Sequence, residues 1–251
     1  MSFRLARKAV LNPLKTARLL NRRYLRFGLS PKDPEAEFLQ GWVYGALPRR
    51  PLVELFPGIE TVTFMVVNGF MRTTNMSVTV LELNALLAMM RHAGAHRVVE
   101  IGTYDGGTTV NLAANLPESG CVFTVDLPPS FDRYELSASS FYDNRSASAQ
   151  IGRQFLGSKY AQRITQVLED SATVDYAKLG GAMDMFFIDG CHDYAYVKHD
   201  SEQAFRIVRP GGLVVWHDYG MIEDVSRYVD ELARAREINV VQGTRLAVTT
   251  V

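Results

Sequence analysis

Five acidic residues follow apolar runs of the chain, at points where parallel strands would end. They are Glu100, Asp126, Asp170, Asp189 and Asp218. In an open parallel sheet the carboxyl ends of the strands meet at one edge, and ligands bind there. Five carboxylates at one edge are hard to explain as packing, because like charges repel. The spacing therefore predicts a binding edge that holds a cofactor and a cation.

A glycine-rich turn follows the first of these acids, in the run Glu100-Ile101-Gly102-Thr103-Tyr104-Asp105-Gly106-Gly107-Thr108. A strand, a turn and a helix start in this order can present backbone N–H groups to a nucleotide-like cofactor. Dinucleotide sites need a second glycine where Tyr104 stands, and a carboxylate at Glu100 suits a cationic ligand better than a diphosphate. A tight turn without a ligand is the alternative interpretation.

The second and third strands also end in acids. Asp126 lies 24 residues after Gly102, near the spacing at which an acid binds ribose hydroxyls in Rossmann-like folds. Its alternative role is to form the turn before Leu127 and the two prolines that follow. Asp170, followed by Ser171, either contacts a cofactor or caps a helix, and the two roles are compatible.

Two histidines accompany the last two acids, in Asp189-Gly190-Cys191-His192 and in His217-Asp218. The fourth and fifth strands should be neighbours, so Asp189 and Asp218 can converge on a divalent cation such as Mg²⁺. His217 would favour a softer ion such as Mn²⁺ or Zn²⁺, or is an ordinary polar residue at a strand end. We predict Asp189, His217 and Asp218 as metal ligands.

His192 is the predicted general base, because imidazole titrates near neutral pH and the residue overhangs the same edge. Its alternative role is to cap the loop, and His217 is then the next candidate for the base.

These segments, in this order and with Pro210-Gly211-Gly212 before the fifth strand, resemble class I S-adenosylmethionine (SAM)-dependent methyltransferases over residues 75–251. Asp-Gly-x-His-x-Tyr together with His-Asp-Tyr resembles the subgroup of bacterial macrolide-sugar and glycan O-methyltransferases. The resemblance implies methyl transfer from SAM to a hydroxyl of a small-molecule, sugar or glycan-type acceptor. Asp189 and His192 would be the catalytic residues, and Asp170 would bind the adenine amino group.

The cofactor contacts that the resemblance implies come from the glycine-rich turn and the strand ends. They are Glu100, Gly102, Thr103, Tyr104, Gly107, Thr108, Asp126, Leu127, Asp170, Ser171 and Asp189. A SAM-binding module without turnover, and another SAM-fold enzyme such as a hydroxylase-like relative, are the competing functions.

The predicted fold is α/β, with a Rossmann-like, seven-stranded, mostly parallel sheet flanked by helices. Residues 1–74 are predicted to form an N-terminal extension, a basic helix plus a cap, and residues 75–251 the methyltransferase domain. Residues 128–160 are long enough for an inserted lid after the second strand, or for a helical excursion that packs for stability alone. Arg209-Pro210-Gly211-Gly212 is predicted to be a turn, and the last strand should run antiparallel beside the fifth.

Composition and charge indicate which kinds of partner the protein could bind. The formal net charge is zero, so no overall field attracts nucleic acid. Two cysteines in strand contexts indicate reduced thiols and a cytoplasmic protein. Residues 1–30 carry eight lysines and arginines and no acid. This basic segment could pack on a second subunit in a homo-oligomer or contact a membrane surface peripherally. Its composition also resembles that of an organelle transit peptide.

Overall fold

The computed structural model describes residue 10 and residues 13–17, 44–68, 78–138 and 151–251. Within these residues one sheet contains eight strands. They are β1 (Arg49–Arg50), β2 (Arg97–Ile101), β3 (Cys121–Asp126), β4 (Ile164–Leu168), β5 (Met183–Ile188), β6 (Val208–Trp216), β7 (Asn239–Val241) and β8 (Ala247–Thr250). Their order across the sheet is β1-β7-β8-β6-β5-β2-β3-β4.

Helices cover both faces of this sheet. They are α1 (Leu52–Leu55), α2 (Val80–His92), α3 (Gly107–Asn115), α4 (Tyr194–Ile207) and α5 (Glu223–Leu232), with 3₁₀ turns at Ile59–Thr61, Ala161–Arg163 and Tyr176–Leu179. Every strand pair is parallel except β8 with its two neighbours, β6 and β7. The predicted Rossmann-like sheet is confirmed, and the two residues of β1 add an eighth strand at the β7 edge.

The strands are apolar because both faces of the sheet are buried. Along β5, Met185 and Phe187 face the cluster formed with α2 and α3, whereas Phe186 and Ile188 face the cluster formed with α4 and α5. All four side chains are buried. Alternation along a strand thus divides the core into two layers and leaves the carboxyl ends of the strands for a site.

The predicted turn at residues 209–212 is wrong. Strand β6 begins at Val208 and runs through it. Gly211 N donates to Val251 O over 2.7 Å, and Val251 N donates to Gly212 O over 2.9 Å, so this segment pairs with the end of the chain. The register against β5 shifts between Met183 and Met185. Because this segment pairs with β5 on one side and with Val251 on the other, it forms the irregular first part of a strand instead of a turn.

The N-terminal extension contacts the domain at several places. Residues 49–50 pair with β7. The side-chain amide of Asn111 bonds both backbone groups of Val67, over 2.7 and 2.9 Å, and Asn115 binds Met65 in the same way. The two asparagines are one helical turn apart on α3, so together they hold an extended segment against that helix. Most of the predicted basic helix lies outside the described residues.

Candidate active site

The glycine loop, residues 102–107, connects β2 to α3. Gly102, Tyr104 and Gly106 all have positive φ angles of 98°, 48° and 83°. A Cβ on Gly102 would lie 2.1 Å from the carbonyl oxygen of Asp189, so only glycine fits between β2 and β5. Tyr104 adopts the left-handed conformation that a glycine would normally take. Its N–H donates to Asp126 Oδ2 over 2.7 Å, which ties the loop to β3.

Glu100 lies beneath this loop and is fully buried. Its Oε2 accepts hydrogen bonds from the hydroxyls of Thr109, over 2.5 Å, and Thr124, over 2.6 Å. Burial raises the pKa of Glu100 to about 8. The hydroxyl of Thr103 is buried against that of Thr124 at 2.7 Å. Glu100 and Thr103, both predicted cofactor residues, support the loop from inside the protein.

Asp126 ends β3 with its carboxylate held on both sides. Oδ2 accepts from the Tyr104 N–H, and Oδ1 accepts from the Leu127 N–H over 2.8 Å. Asp126 remains partly exposed. An acid fixed by backbone donors at the tip of the second parallel strand is oriented to accept hydrogen bonds from a ribose.

Asp170 follows β4 and bonds to three donors among the described residues. Oδ1 accepts from Ala172 N over 2.9 Å, and Oδ2 accepts from Tyr196 Oη over 2.5 Å and from Glu135 N over 3.0 Å. A carboxylate has about four acceptor positions, so these three bonds do not by themselves exclude a further donor such as an adenine amino group. The helix-cap alternative is not observed, since the segment forms a turn and then the 3₁₀ helix at Tyr176–Leu179.

Tyr196 was not singled out from the sequence. It is the third residue of α4, its ring packs edge-on against Tyr134 at 5.6 Å, and its hydroxyl joins α4 to Asp170. Tyr134 belongs to the predicted lid. The described ends of that segment contact two predicted cofactor residues. Glu135 N donates to Asp170, and Gly152 N donates to Tyr104 O over 2.9 Å. The central residues of the segment, 139–150, lie outside the described residues, so closure over a ligand stays a prediction.

An acid–histidine cluster of Asp189, His192 and Asp218 lies where β5 and β6 end. His192 Nε2 is 3.1 Å from Asp218 Oδ2 and 3.8 Å from Asp189 Oδ1. One ligand atom of each residue lies within 4.8 Å of the others, as in a group that could hold a metal ion. The parallel pairing of Ile188 with Trp216 brings the two strand ends together. Two carboxylates and one imidazole form a donor set that fits a divalent cation such as Mg²⁺ or Mn²⁺.

His217, the third predicted metal ligand, is buried beside this cluster. Its Nδ1 lies 3.0 Å from Asp189 Oδ1 and 3.3 Å from Asp218 Oδ1. Its Nε2 lies 3.2 Å from Glu82 Oε2. Both ring nitrogens thus face carboxylates, and the group that could hold a metal ion contains His192 instead of the predicted His217.

Glu82 and Arg245 belong to this site but were not identified as site residues from the sequence. Arg245 bonds to Glu82 Oε1 through Nε and to Oε2 through Nη2, each over 2.8 Å, and to Asp218 Oδ1 through Nη1, also over 2.8 Å. In the sequence, Glu82 is recognisable only as part of the Thr79-x-x-Glu82 capping box, which indicates the start of α2. Nothing in the local sequence distinguishes Arg245 from an ordinary turn residue.

The charged groups of this site shift one another's pKa values. Burial alone would lower the pKa of His192, but Asp189 and Asp218 raise it to about 9. Burial opposes ionisation of His217 as well, yet the same two carboxylates raise its pKa well above the ordinary value. Burial would raise the pKa of Asp218, but His217, His192 and Arg245 hold it well below the usual range. The cluster thus favours charged acids and charged imidazoles together.

The predicted site residues lie in a row along one edge of the sheet. Asp218, Asp189, the glycine loop, Asp126 and Asp170 follow the strand order β6-β5-β2-β3-β4. Gly107 and Thr108 begin α3 at the same edge. The predicted catalytic group is therefore beside the predicted cofactor groups, and β2 separates the cluster from Asp126.

The chain is similar in sequence to known methyltransferases. Residues 99–219 match a family model described as a methyltransferase domain. The chain is 28% identical over 170 residues to "Tricin synthase 1" of Oryza sativa subsp. japonica, covering 68% of this chain and 61% of that protein. It is 27% identical over 157 residues to a "Catechol O-methyltransferase" of Niastella koreensis, covering 61% of this chain and 64% of that protein.

Among solved structures, the fold matches the O-methyltransferase TomG from Streptomyces achromogenes in complex with SAM. The TM-score is 0.51 at 17% identity, over 78% of this chain and 94% of that one. The chain thus has the Rossmann-like α/β methyltransferase fold. It spans about three-fifths of the length of the two curated relatives.

Proposed function

We propose that this chain is a SAM-dependent O-methyltransferase that methylates a hydroxyl group of a small molecule. One observation carries the proposal: Asp189, His192 and Asp218 converge at the ends of β5 and β6, beside the glycine loop, and Asp126 lies one strand farther along the same edge. A base next to a methyl donor site is what transfer to a hydroxyl requires, since the acceptor must lose its proton as the methyl moves. The name of the catechol O-methyltransferase relative supports the same reaction.

The cofactor would lie along the row of strand ends. Asp126 would accept hydrogen bonds from the ribose hydroxyls, and Asp170 would accept a further hydrogen bond from the adenine amino group. The positive φ angles of the glycine loop turn its backbone toward this row of strand ends. Glu100, buried under the loop, would support the loop without touching the ligand.

His192 would accept the proton of the acceptor hydroxyl. A base must be neutral, and beside two carboxylates His192 has its pKa raised to about 9. Asp189 and Asp218 would hold a divalent cation beside His192, and its charge would lower the pKa of His192 and the pKa of a bound hydroxyl. The metal and the base are therefore linked parts of one proposal.

The acceptor classes to test are sugar or glycan-type hydroxyls, which the motif pattern favours, and aromatic hydroxyls, which the names of the two relatives suggest. A panel of methyl glycosides, catechol and a flavone covers both. Transfer of an isotope-labelled methyl group from SAM identifies the reaction and the acceptor together. Binding of SAM without transfer to any acceptor would instead support a SAM-binding module.

Two variants separate the catalytic role from the cofactor role. We expect His192→Ala to lower kcat by about 10²–10⁴-fold, because the general base is lost, while SAM affinity stays near that of the wild type. We expect Asp126→Ala to weaken SAM binding by about tenfold, because a charged hydrogen-bond acceptor is lost. Calorimetry with SAM and initial rates measure the two effects.

The matched control for the first variant is His92→Ala. His92 ends α2 and contacts the carbonyl of Pro57, away from the strand ends. Near-full kcat of His192→Ala between about pH 6 and 9 would show that another group is the base, with His217 as the next candidate. Equal SAM affinity of Asp126→Ala and the wild type would remove Asp126 from the cofactor site.

Dialysis against a chelator tests the metal. We expect turnover to fall and to return when Mg²⁺ or Mn²⁺ is added, because the cation would neutralise Asp189 and Asp218 and activate the hydroxyl. Metal content measured before and after dialysis is the control. Undiminished turnover of verified metal-free protein would mean that the two acids hydrogen-bond the acceptor instead.

A further inference from the structure

The buried contact between Arg245 and Glu82 joins three elements at the edge of the site. Glu82 is in the first turn of α2, and Arg245 lies between β7 and β8. The backbone N–H of Arg245 also donates to Glu82 Oε1 over 2.9 Å, and Thr79 N donates to Oε2 over 2.8 Å. Together these contacts fix the Glu82 carboxylate in one orientation. We name the Arg245–Glu82 pair the clamp.

The clamp reaches the acid–histidine cluster through Asp218. Arg245 Nη1 bonds Asp218 Oδ1 at 2.8 Å, and the other oxygen, Oδ2, faces His192 at 3.1 Å. Asp218 Oδ1 also lies 3.3 Å from His217 Nδ1, so both oxygens of the carboxylate have partners and rotation of the group would break these contacts. The clamp also contacts His217, because Glu82 Oε2 lies 3.2 Å from His217 Nε2.

The backbone of Asp218 shows why such a holding contact is needed. Its φ angle is 60°, a left-handed conformation that non-glycine residues rarely adopt. Strained residues of this kind persist only where surrounding contacts hold them. Arg245 supplies one such contact from the side chain, and its carbonyl oxygen accepts from Tyr219 N over 3.1 Å, next to the strained residue.

The clamp is well suited to hold a position. Its side chains are 15% exposed for Arg245 and 1% exposed for Glu82, so water competes little for their hydrogen bonds. The planar guanidinium bonds both carboxylate oxygens, which fixes angle as well as distance. A lysine at this position could keep the charge but not this two-pronged contact.

We infer that Arg245 is a positioning residue: anchored on Glu82, it holds Asp218 so that Asp218 Oδ2 faces His192. The inference rests on the proposed function for its catalytic consequence, whereas its structural content concerns the His192–Asp218 contact alone. A role in stability only would leave that contact unchanged when Arg245 is replaced, provided that the protein folds.

The experiment compares the full-length wild type with Arg245→Met, Arg245→Lys and the control Arg209→Met. Arg209 bonds Asp184 Oδ1 over 2.6 Å at the opposite edge of the sheet, so its loss also removes an arginine–aspartate pair but spares the site. Three readouts are recorded on each protein: the thermal midpoint, kcat against KM of the acceptor, and the NMR shifts of the His192 ring. His192→Ala assigns that ring among the five histidines.

We expect Arg245→Met to lower kcat about 10–100-fold and to shift the His192 ring signals, with SAM affinity unchanged, as for loss of a partner that orients a reacting group. Arg245→Lys should recover only part of kcat, and Arg209→Met should change the thermal midpoint alone. Unchanged His192 signals in a folded Arg245→Met protein would overturn the inference, as would full activity of Arg245→Lys. If Arg245→Met does not fold, Arg245→Lys decides by the same readouts.

The two proposals fail separately. If the wild type transfers no methyl group to any acceptor, the proposed function is wrong, while the His192 signals still show whether Arg245 positions Asp218. If the wild type is active and the His192 signals are the same in Arg245→Met, only the positioning role of Arg245 is wrong.

Discussion

Glu100 is buried beneath the glycine loop with one oxygen bonded to two threonine hydroxyls. Burial raises its pKa from 4.5 to about 8, so the folded protein holds a proton there that the unfolded chain releases at lower pH. For an acid whose pKa is raised on folding, stability is complete below the unfolded pKa and is lost as pH rises through the folded pKa. Glu100 therefore destabilises the protein progressively between about pH 4.5 and 8.

The corresponding prediction concerns Glu100→Gln, which keeps an oxygen for Thr109 and Thr124 but cannot ionise. We expect the unfolding free energy of the wild type to fall more than that of the variant between pH 5 and pH 8, roughly the range set by the two pKa values. Urea unfolding at a series of pH values measures this. His192 and His217 titrate in both proteins, so the difference between the curves isolates Glu100. Parallel curves would contradict the raised pKa.

At the scale of elements, the junction between β2 and β5 positions the site. Gly102 leaves β2 with a φ angle of 98°, and Asp189 N donates to Ile101 O over 2.9 Å. The glycine loop thus rests directly on the backbone that carries Asp189. Any atom added at Gly102 must push these two elements apart, because the neighbour is backbone and not a flexible side chain.

We therefore expect Gly102→Ala to destabilise the protein by about 2–4 kcal/mol, combining a backbone clash with the strain of a positive φ angle. We also expect it to weaken SAM binding. Thermal unfolding and calorimetry measure both effects. Gly157→Ala is the control, because Gly157 has a φ angle of 75° but no atom within 4 Å of an added Cβ. An equal loss in the two variants would mean that strain alone matters.

At the scale of the whole molecule, the N-terminal segment contacts the wall of the site. Residues 13–17 are helical, and Lys15 Nζ lies 2.5 Å from Asp224 of α5 and 3.4 Å from Asp193. Asp193 directly follows His192 and precedes α4. All three side chains are nearly buried, at 10–13% exposure. Val10 and Leu14 on the same segment are largely exposed.

We expect Lys15→Met to lower the unfolding free energy by about 2 kcal/mol, because two nearly buried carboxylates lose a cationic partner. Lys178→Met is the exposed control: Lys178 pairs with Asp175 at 82% and 53% exposure, and its loss should cost at most about 0.5 kcal/mol. Denaturant unfolding of both variants measures the difference. Similar small losses would show that the N-terminal segment does not contribute to the folded domain.

No helix within the described residues is long and apolar enough to cross a membrane. Contact of the basic N-terminal segment with a membrane surface or a second subunit stays a prediction. Val10 and Leu14 of that segment are exposed.

The sequence by itself determined the sheet and most of its edge. Apolar runs that end in acids depend only on local order along the chain, and parallel strands must bring their carboxyl ends to one side. Local order alone therefore places Asp126, Asp170, Asp189 and Asp218 on one edge. The pairing of β5 with β6 was predicted from this order, and the antiparallel β8 was implied by the resemblance to class I methyltransferases.

Only the tertiary structure decided which side chains meet at that edge. Glu82 and Arg245 are separated by 163 residues, and their contact depends on how α2 packs beside the β7–β8 turn. The sequence predicted His217 as a metal ligand, whereas the group that could hold a metal ion contains His192, and only the folded structure brings these side chains together. The strand conformation of residues 208–212 depends on pairing with β5 on one side and with Val251 on the other. Contacts between distant segments are set by packing in three dimensions, whereas strand ends are set by neighbours along the chain.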